Sequence, residues 1–249
     1  MAAPFELNSV VHLVRPAGRS ATNLEELRAG IAEASATSLF QHTVQCQLRH
    51  PAASALPPDD FSGWVNGVVQ DRETAERMSF AVQYRGGSPT ELRTALLELL
   101  GGVPQTQRID RDAPAEGHFV FLEVESVPIG TGAIVRSSDE LMTALAESDP
   151  GVWFYHFVEQ PWLEPHTPSL MDWVRGGGDL KLAEWLDETR TSGRPLEDMR
   201  RRSIRRWRQS RLGRRLAEAA DSTEQQRSQA GREAVAGLVR RITSSEDAR

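Results

Sequence analysis

The chain has 249 residues, 39% of them apolar, and a net charge of -6 at pH 7. That length can bury one large core or two small ones, and the negative charge argues against nucleic-acid binding by the surface as a whole. The single cysteine, Cys46, excludes an intramolecular disulfide and favours a cytoplasmic location. We expect no membrane insertion, because no stretch reaches the ~18 apolar residues of a membrane span and no signal peptide is recognisable.

Both halves of the chain open with the same predicted elements. An apolar stretch with strand character begins at Phe5, and Asn23 follows where a helix N-cap would stand. Acidic residues fill the next turn, so a strand leading into a helix is predicted. In the second half, the apolar stretch begins at His118, and Ser137 stands at the position of the helix N-cap. Ser88, followed by a proline and by leucines at helical spacing, begins a further amphipathic helix.

A histidine in an aromatic segment occurs once in each half. SLFQHTVQCQL contains His42 and VWFYHFVEQPW contains His156, each two residues after a phenylalanine. Read with period two, His42 shares a face with apolar residues, as in a half-buried strand. Read as a helix, it joins an apolar stripe. Both interpretations place the histidine among apolar neighbours.

The two halves also match in order along the chain. His42 matches His156 at a spacing of 114, and Trp64 matches Trp173 at a spacing of 109. Other matches precede and follow these, and the largest change of spacing falls where prolines mark a loop. An ordered series of matches predicts a tandem duplication.

The predicted fold is α+β and mainly α, with two tandem repeats that each contain a short strand followed by several short helices. The first repeat covers residues 1–100, the linker residues 101–117 and the second repeat residues 118–216. The tail, residues 217–249, is polar and then places apolar residues at helical spacing. This pattern predicts a C-terminal amphipathic helix that binds a partner or forms a dimer.

Several motifs of the first half resemble one family. A prolyl-glycyl turn, NLEEL, an aromatic-histidine segment and PPDDF followed two residues later by WV are together similar to the domain of unknown function 5752 family (DUF5752). The second half departs from this pattern, because Ser169 and Leu170 replace Asp60 and Phe61. The resemblance implies no established activity. Some relatives occur beside carbohydrate-active enzymes, which implies a link with carbohydrate metabolism.

Five residues are candidates for a ligand site: His42, Asp60, Trp64, His156 and Trp173. Histidines could bind metal or transfer protons, and tryptophan faces could stack on sugars. The possible metal ligands differ between the halves, so we expect buried, hydrogen-bonded histidines without metal, and tryptophans that anchor the core. Asp59 and Asp60 could form an acid-base pair, although helix capping is the simpler interpretation.

The segment RRRSIRRWRQSRLGRR, residues 200–215, is the strongest charge feature. Ile204 and Trp207 fall near helical spacing, which predicts a helix whose narrow apolar stripe packs on the second repeat. Three arginines should then face outward and bind a partner: Arg201, Arg205 and Arg208. An acidic protein surface, nucleic-acid phosphates or an anionic membrane would fit them, and pairing with the chain's own acidic residues is the alternative.

No phosphate loop, nucleophile elbow, zinc helix or cysteine-based metal site occurs in the sequence, so no catalytic residue and no cofactor are predicted. The predicted function is a non-catalytic partner-binding or regulatory module, with a protein or a second copy as partner. Two alternatives stay open. One is a sugar-related enzyme with a pocket between the repeats, and the other is an anion or nucleic-acid binder that uses residues 200–215.

Overall fold

The structure is a computed structural model that describes residues 3–45, 59–85, 87–192 and 194–220, without the side chains of residues 84, 85 and 212–220. Helices dominate this part of the chain, and its two strands form one antiparallel sheet. The prediction of an α+β, mainly α fold is therefore confirmed. Cys46 and the amphipathic segment predicted in the tail lie outside the described residues.

The first half contains one strand followed by helices. They are β1 (Phe5–Ala21), α1 (Leu24–Glu33), α2 (Ala36–Thr43), α3 (Asp60–Trp64), α4 (Arg72–Arg85) and α5 (Pro89–Gly101). A π-helical turn, Val65–Val69, continues α3. The predicted linker includes a short helix, α6 (Gln105–Ile109), and a 3-10 turn, Ala115–Gly117.

The second half repeats this order of strand and helices. It contains β2 (Phe119–Val135), α7 (Ser138–Glu147), α8 (Pro150–Phe154), α9 (Gln160–Leu163), α10 (Leu170–Gly176), α11 (Leu180–Arg190) and α12 (Leu196–Ala220). A π-helical turn, Tyr155–Glu159, joins α8 to α9. His42 lies in α2 and His156 in this turn, so the helical interpretation of the histidine segments is correct and the strand interpretation is wrong.

The helices begin where the sequence supplies capping side chains. Asn23, Ser137 and Ser88 each accept a hydrogen bond from the backbone N–H three residues later. Each bond satisfies one of the N–H groups that the first turn of a helix leaves without a partner. α1 then buries Leu27 and Ile31 on one side. Local capping and an amphipathic pattern together explain why these segments are helical.

β1 and β2 pair along their length and form a two-stranded ribbon. His12 faces Ser126 at its centre, and the register shifts near both ends. At the two shifts, Gly18 and Gly132 have φ angles of 71° and 77°. Glycine adopts this left-handed conformation without the steric cost that other residues meet there. The ribbon is therefore regular in its middle and irregular at its two ends.

The chain up to Arg200 forms one compact unit, and α12 from Arg201 onward belongs to a second. The core of the first unit takes side chains from both halves, among them Phe40, Phe61, Phe121, Trp153 and Phe154. In this unit α2 packs against β2, and α8 packs against β1. Helices of each half thus contact the strand of the other half.

Candidate functional site

His42 is buried where α2 meets β2. Its Nε2 accepts a hydrogen bond of 2.8 Å from the backbone N–H of Leu122. Its Nδ1 lies 3.0 Å from a carboxylate oxygen of Asp60. Because Nε2 accepts, this pattern places the ring proton on Nδ1, which donates it to Asp60. His42 is thus a neutral side chain that binds a strand of the other half.

Aromatic rings enclose this histidine. Three ring centroids lie 4.8 to 6.0 Å from that of the imidazole, those of Phe61, Phe119 and Phe121. Trp64 packs against Phe119, with 5.8 Å between centroids, and donates its indole N–H to the carbonyl of Gly117 over 2.6 Å. His42 and Trp64 therefore pack against the same phenylalanine, Phe119, and Asp60 is bonded to His42. We call His42, Asp60 and Trp64 the first cluster.

Asp59, the neighbour of Asp60, is the N-cap of α3. Its two carboxylate oxygens accept hydrogen bonds from the backbone N–H and the hydroxyl of Ser62, at 2.8 and 2.6 Å. Burial raises the pKa of Asp59 to about 6, although the bonds to Ser62 act in the opposite direction. The capping interpretation is confirmed for Asp59, whereas Asp60 pairs with His42 instead of capping.

His156 is buried in the π-helical turn of the second half. Its Nε2 accepts a hydrogen bond of 2.9 Å from the backbone N–H of Asn8, and its ring centroid lies 5.4 Å from that of Phe5. Trp173 lies 5.5 Å from Phe5 and donates its indole N–H to the carbonyl of Ala3 over 2.5 Å. We call His156 and Trp173 the second cluster.

The second cluster differs from the first in its charge. Ser169 stands where the first half has Asp60, and it caps α10 instead of meeting the imidazole. Burial lowers the pKa of His156 to about 4, with Gln160 acting in the opposite direction. His156 is therefore neutral at pH 7, as its role as an acceptor requires.

The two clusters repeat at one spacing. Three pairs of residues lie 114 positions apart: Asn8 and Leu122, His42 and His156, and Ala3 and Gly117. The caps of the histidine helices follow the same rule, since Ser35 bonds Glu123 at 3.0 Å and Ser9 bonds Asp149 at 3.3 Å. In each case a helix of one half binds the strand of the other, so each strand completes the cluster of the opposite half.

One further buried pair was not among the residues that the sequence singled out. His12 Nε2 lies 2.6 Å from a carboxylate oxygen of Glu159, and both side chains are largely buried. The two residues are 147 positions apart, so no local motif relates them. The one available signal is that Glu159 is the single acidic residue of the mainly apolar segment VWFYHFVEQPW, where a buried carboxylate needs a partner.

α12 carries the candidate residues for partner binding. Arg201, Arg205 and Arg208 are exposed, whereas Trp207 is buried. The guanidinium of Arg211 lies 5.3 Å from the ring centroid of Trp207. α12 therefore has a buried tryptophan and exposed arginines, as the sequence predicts. The surface on which its apolar stripe packs stays a prediction.

The part of the chain that the structure describes contains neither a candidate metal site nor a candidate membrane span. Within residues 3–45, 59–85, 87–192 and 194–220, no group of three or more histidine, cysteine, aspartate or glutamate residues could hold a metal ion. In the same ranges, none of the helices has both the length and the apolar character that crossing a bilayer requires.

Known proteins match this chain in family and in fold. A model of the family of unknown function DUF5752 matches residues 2–207. The chain belongs to this family. The DUF5752 match covers both halves, whereas the motifs in the sequence pointed to the first half alone. The solved structure of OrfY from Thermoproteus tenax is 22% identical, with a TM-score of 0.68 over 82% of this chain and 95% of that one, and so shares the fold. No curated protein matches the chain.

Proposed function

We propose that this DUF5752 chain is a non-catalytic partner-binding module that holds an acidic protein surface through the exposed arginines of α12. The observation that carries the proposal is the distribution of charge. Residues 1–200 contain 16 basic and 29 acidic residues, a net charge of -13, whereas residues 201–249 contain 13 basic and 6 acidic residues, a net charge of +7. The positive charge of this acidic protein is thus concentrated in one segment.

The local sequence of α12 supports an intermolecular role for these arginines. Arg205 and Arg208 are exposed, and neither has an acidic residue three or four positions away on the helix. Pairs at those spacings are the ones that neutralise charge within a helix. Guanidinium groups form planar, two-point pairs with carboxylates, which suits an acidic protein surface. An acidic partner would therefore relieve repulsion among the arginines.

The histidine clusters support a structural role more than a catalytic one. His42 and His156 are buried, and each uses Nε2 to accept a strand N–H. Asp59 uses both carboxylate oxygens in its cap. A general acid or base must instead reach the proton of a substrate. The alternative of a sugar-related enzyme that uses His42, Asp60 or His156 has no comparable support.

The only support for a link with carbohydrate metabolism is the resemblance to the family. The resemblance to DUF5752 implies a link with carbohydrate metabolism, and on that basis we propose that the partner is a protein of a sugar-related pathway. No feature among the described residues identifies a sugar, and the binding surface on α12 has the chemistry of a protein contact.

The test replaces Arg201, Arg205 and Arg208 together by glutamate. The matched control makes the same change of charge at exposed arginines of the first unit: Arg72, Arg77 and Arg136. The wild-type chain is used to capture partners from extracts of its source, and an identified partner is then titrated at several salt concentrations.

We expect the α12 variant to bind the partner at least about tenfold more weakly, a loss of about 1.4 kcal/mol, with an unchanged thermal transition. The control variant should bind normally. A partner that both variants bind equally well contradicts the proposal. Tight, salt-sensitive binding of duplex DNA or RNA that only the α12 variant loses would favour the nucleic-acid alternative.

A further inference from the structure

The pairing of the two strands is unchanged when β1 and β2 trade places. His12 faces Ser126 at the centre of the ribbon, and these two residues lie 114 positions apart. Pairs on one side of this centre correspond, at the same shift of 114, to pairs on the other side: Phe5–Val135 to Phe119–Ala21, Glu6–Ile134 to Val120–Ser20, and Asn8–Gly130 to Leu122–Pro16. Gly18 and Gly132, the glycines at the two register shifts, also lie 114 positions apart. The ribbon is therefore symmetric about the pair of His12 and Ser126.

The helices that pack on the ribbon follow the same symmetry. The bond of His42 to β2 corresponds to the bond of His156 to β1. The rings of Phe40 and Phe154, which also lie 114 positions apart, contact each other with 5.8 Å between their centroids. In a two-fold arrangement every contact occurs twice, and equivalent residues meet each other only beside the axis. Both equivalent pairs that meet, one in the ribbon and one between these rings, are what a two-fold axis through the centre of the ribbon requires.

The residues beside this axis differ between the halves. His12 Nε2 lies 2.6 Å from Glu159 Oε2, and the two side chains are 12% and 2% exposed. At the shift of 114, Ser126 is the equivalent of His12 and Gln45 is the equivalent of Glu159. Ser126 Oγ and Gln45 Oε1 are buried, and neither has a hydrogen-bond partner among the residues that the structure describes. One site thus holds a bonded imidazole and carboxylate, and the equivalent site holds a hydroxyl and an amide.

We propose that the two halves meet as the subunits of a two-fold dimer do, and that a single histidine–glutamate pair at one of two equivalent sites makes them complementary. The first site is His12 with Glu159, and the second site is Ser126 with Gln45. Each half supplies the strand residue of one site and the facing residue of the other. The interface therefore takes as its partner a half that presents a carboxylate to His12. This interface does not use α12, so it is separate from the proposed function.

The histidine–glutamate pair disfavours the pairing of like halves. Two second halves would place each Glu159 against a Ser126, and both carboxylates would then be buried without the imidazole, which is costly. Two first halves would place each His12 against a Gln45, and both imidazoles would lose their charge-assisted hydrogen bond. Only unlike halves match the imidazole to the carboxylate. Specificity of this kind comes partly from penalising the wrong partner.

The test moves the pair from the first site to the second in the full chain. The strand variant carries His12→Ser with Ser126→His, the facing variant carries Gln45→Glu with Glu159→Gln, and the full variant carries all four substitutions. The strand and facing variants each set a carboxylate against a serine, so we expect the equilibrium constant of unfolding to rise at least about a hundredfold in each. The full variant restores the pair at the second site and should lie within about tenfold of the wild type. Urea unfolding measures all three.

A neutral variant supplies the control. His12→Ser with Glu159→Gln gives both sites a serine and a glutamine, so it should be more stable than the strand and facing variants, which each bury an unpaired carboxylate. A neutral variant less stable than both contradicts this role of the pair.

The full variant decides the proposal. A full variant that does not fold, or whose loss of stability equals the losses of the strand and facing variants added together, overturns it, and so does a strand variant as stable as the wild type. The glutamate variant of α12 should unfold like the wild type, and the neutral variant should bind the partner of α12 normally. This proposal and the proposed function can therefore fail independently.

Discussion

At the scale of single residues, the buried histidines act as hydrogen-bond acceptors. His42 and His156 each present an unprotonated Nε2 to a strand N–H. A protonated imidazole has no acceptor nitrogen, so both bonds require a neutral ring. The sequence predicted burial and hydrogen bonding correctly. It could not predict the partners. Every residue except proline has a backbone N–H, so the side-chain pattern does not indicate that those of Leu122 and Asn8 bind the histidines.

His156 should make the stability of the protein depend on pH. Its pKa is about 4 in the folded protein against an ordinary value of 6.5, so the unfolded state binds more protons between these values. The free energy of unfolding should therefore fall as the pH drops from 6.5 towards 4, by on the order of 3 kcal/mol. Denaturation at neutral and acidic pH measures this slope. His156→Gln should flatten it, and a variant with the wild-type slope would contradict the assignment.

Asp59 should act in the opposite direction. Burial raises its pKa from 3.8 to about 6, so its contribution to stability is greatest below pH 3.8 and is lost as the pH rises through 6. Asp59→Asn keeps an oxygen for the Ser62 N–H without the buried charge. We expect the variant to be more stable than the wild type at pH 7, by on the order of 1 kcal/mol, but not near pH 4. An equal change at both values in urea unfolding would argue against this role.

At the scale of elements, α1 and β2 approach each other closely at Gly30. A Cβ atom at this position would overlap the ring of Phe121. Gly30→Ala should therefore lower the free energy of unfolding by about 1 to 3 kcal/mol, although alanine is the better helix former. Gly101→Ala is the control, because nothing lies within 4 Å of the added atom in α5, and it should not destabilise. Thermal unfolding compares the two, and equal effects would contradict the close packing.

Local signals predicted most of the elements but not their pairing. The starts of α1, α5 and α7 follow from capping side chains, which act within one turn of a helix. The strands were recognised at their beginnings from the apolar pattern. Their pairing with each other was not predicted, because contacts between distant segments depend on the whole fold. The contact of His12 with Glu159 was missed for the same reason.

At the scale of the whole molecule, the histidine-bearing segment of each half binds the strand of the other half, an arrangement that we call the strand exchange. We propose that they arose by tandem duplication, since the contacts of His42 and His156 repeat at a spacing of 114. The hydrogen bond from a strand N–H to a buried histidine, which both clusters share, would then hold the two halves together. We propose that the buried clusters hold the architecture together and that partner binding belongs to the exposed arginines of α12.

Fragment complementation tests the strand exchange most directly. The chain is divided after the exposed Asp110 into residues 1–110 and 111–249. Trp64 and Trp173 report on assembly, because each donates its indole N–H to a carbonyl of the other fragment. We expect neither fragment alone to show the tryptophan fluorescence and thermal transition of the intact protein, and an equimolar mixture to restore both in a 1:1 complex. A fragment that folds alone as a stable monomer with native tryptophan fluorescence would contradict the account.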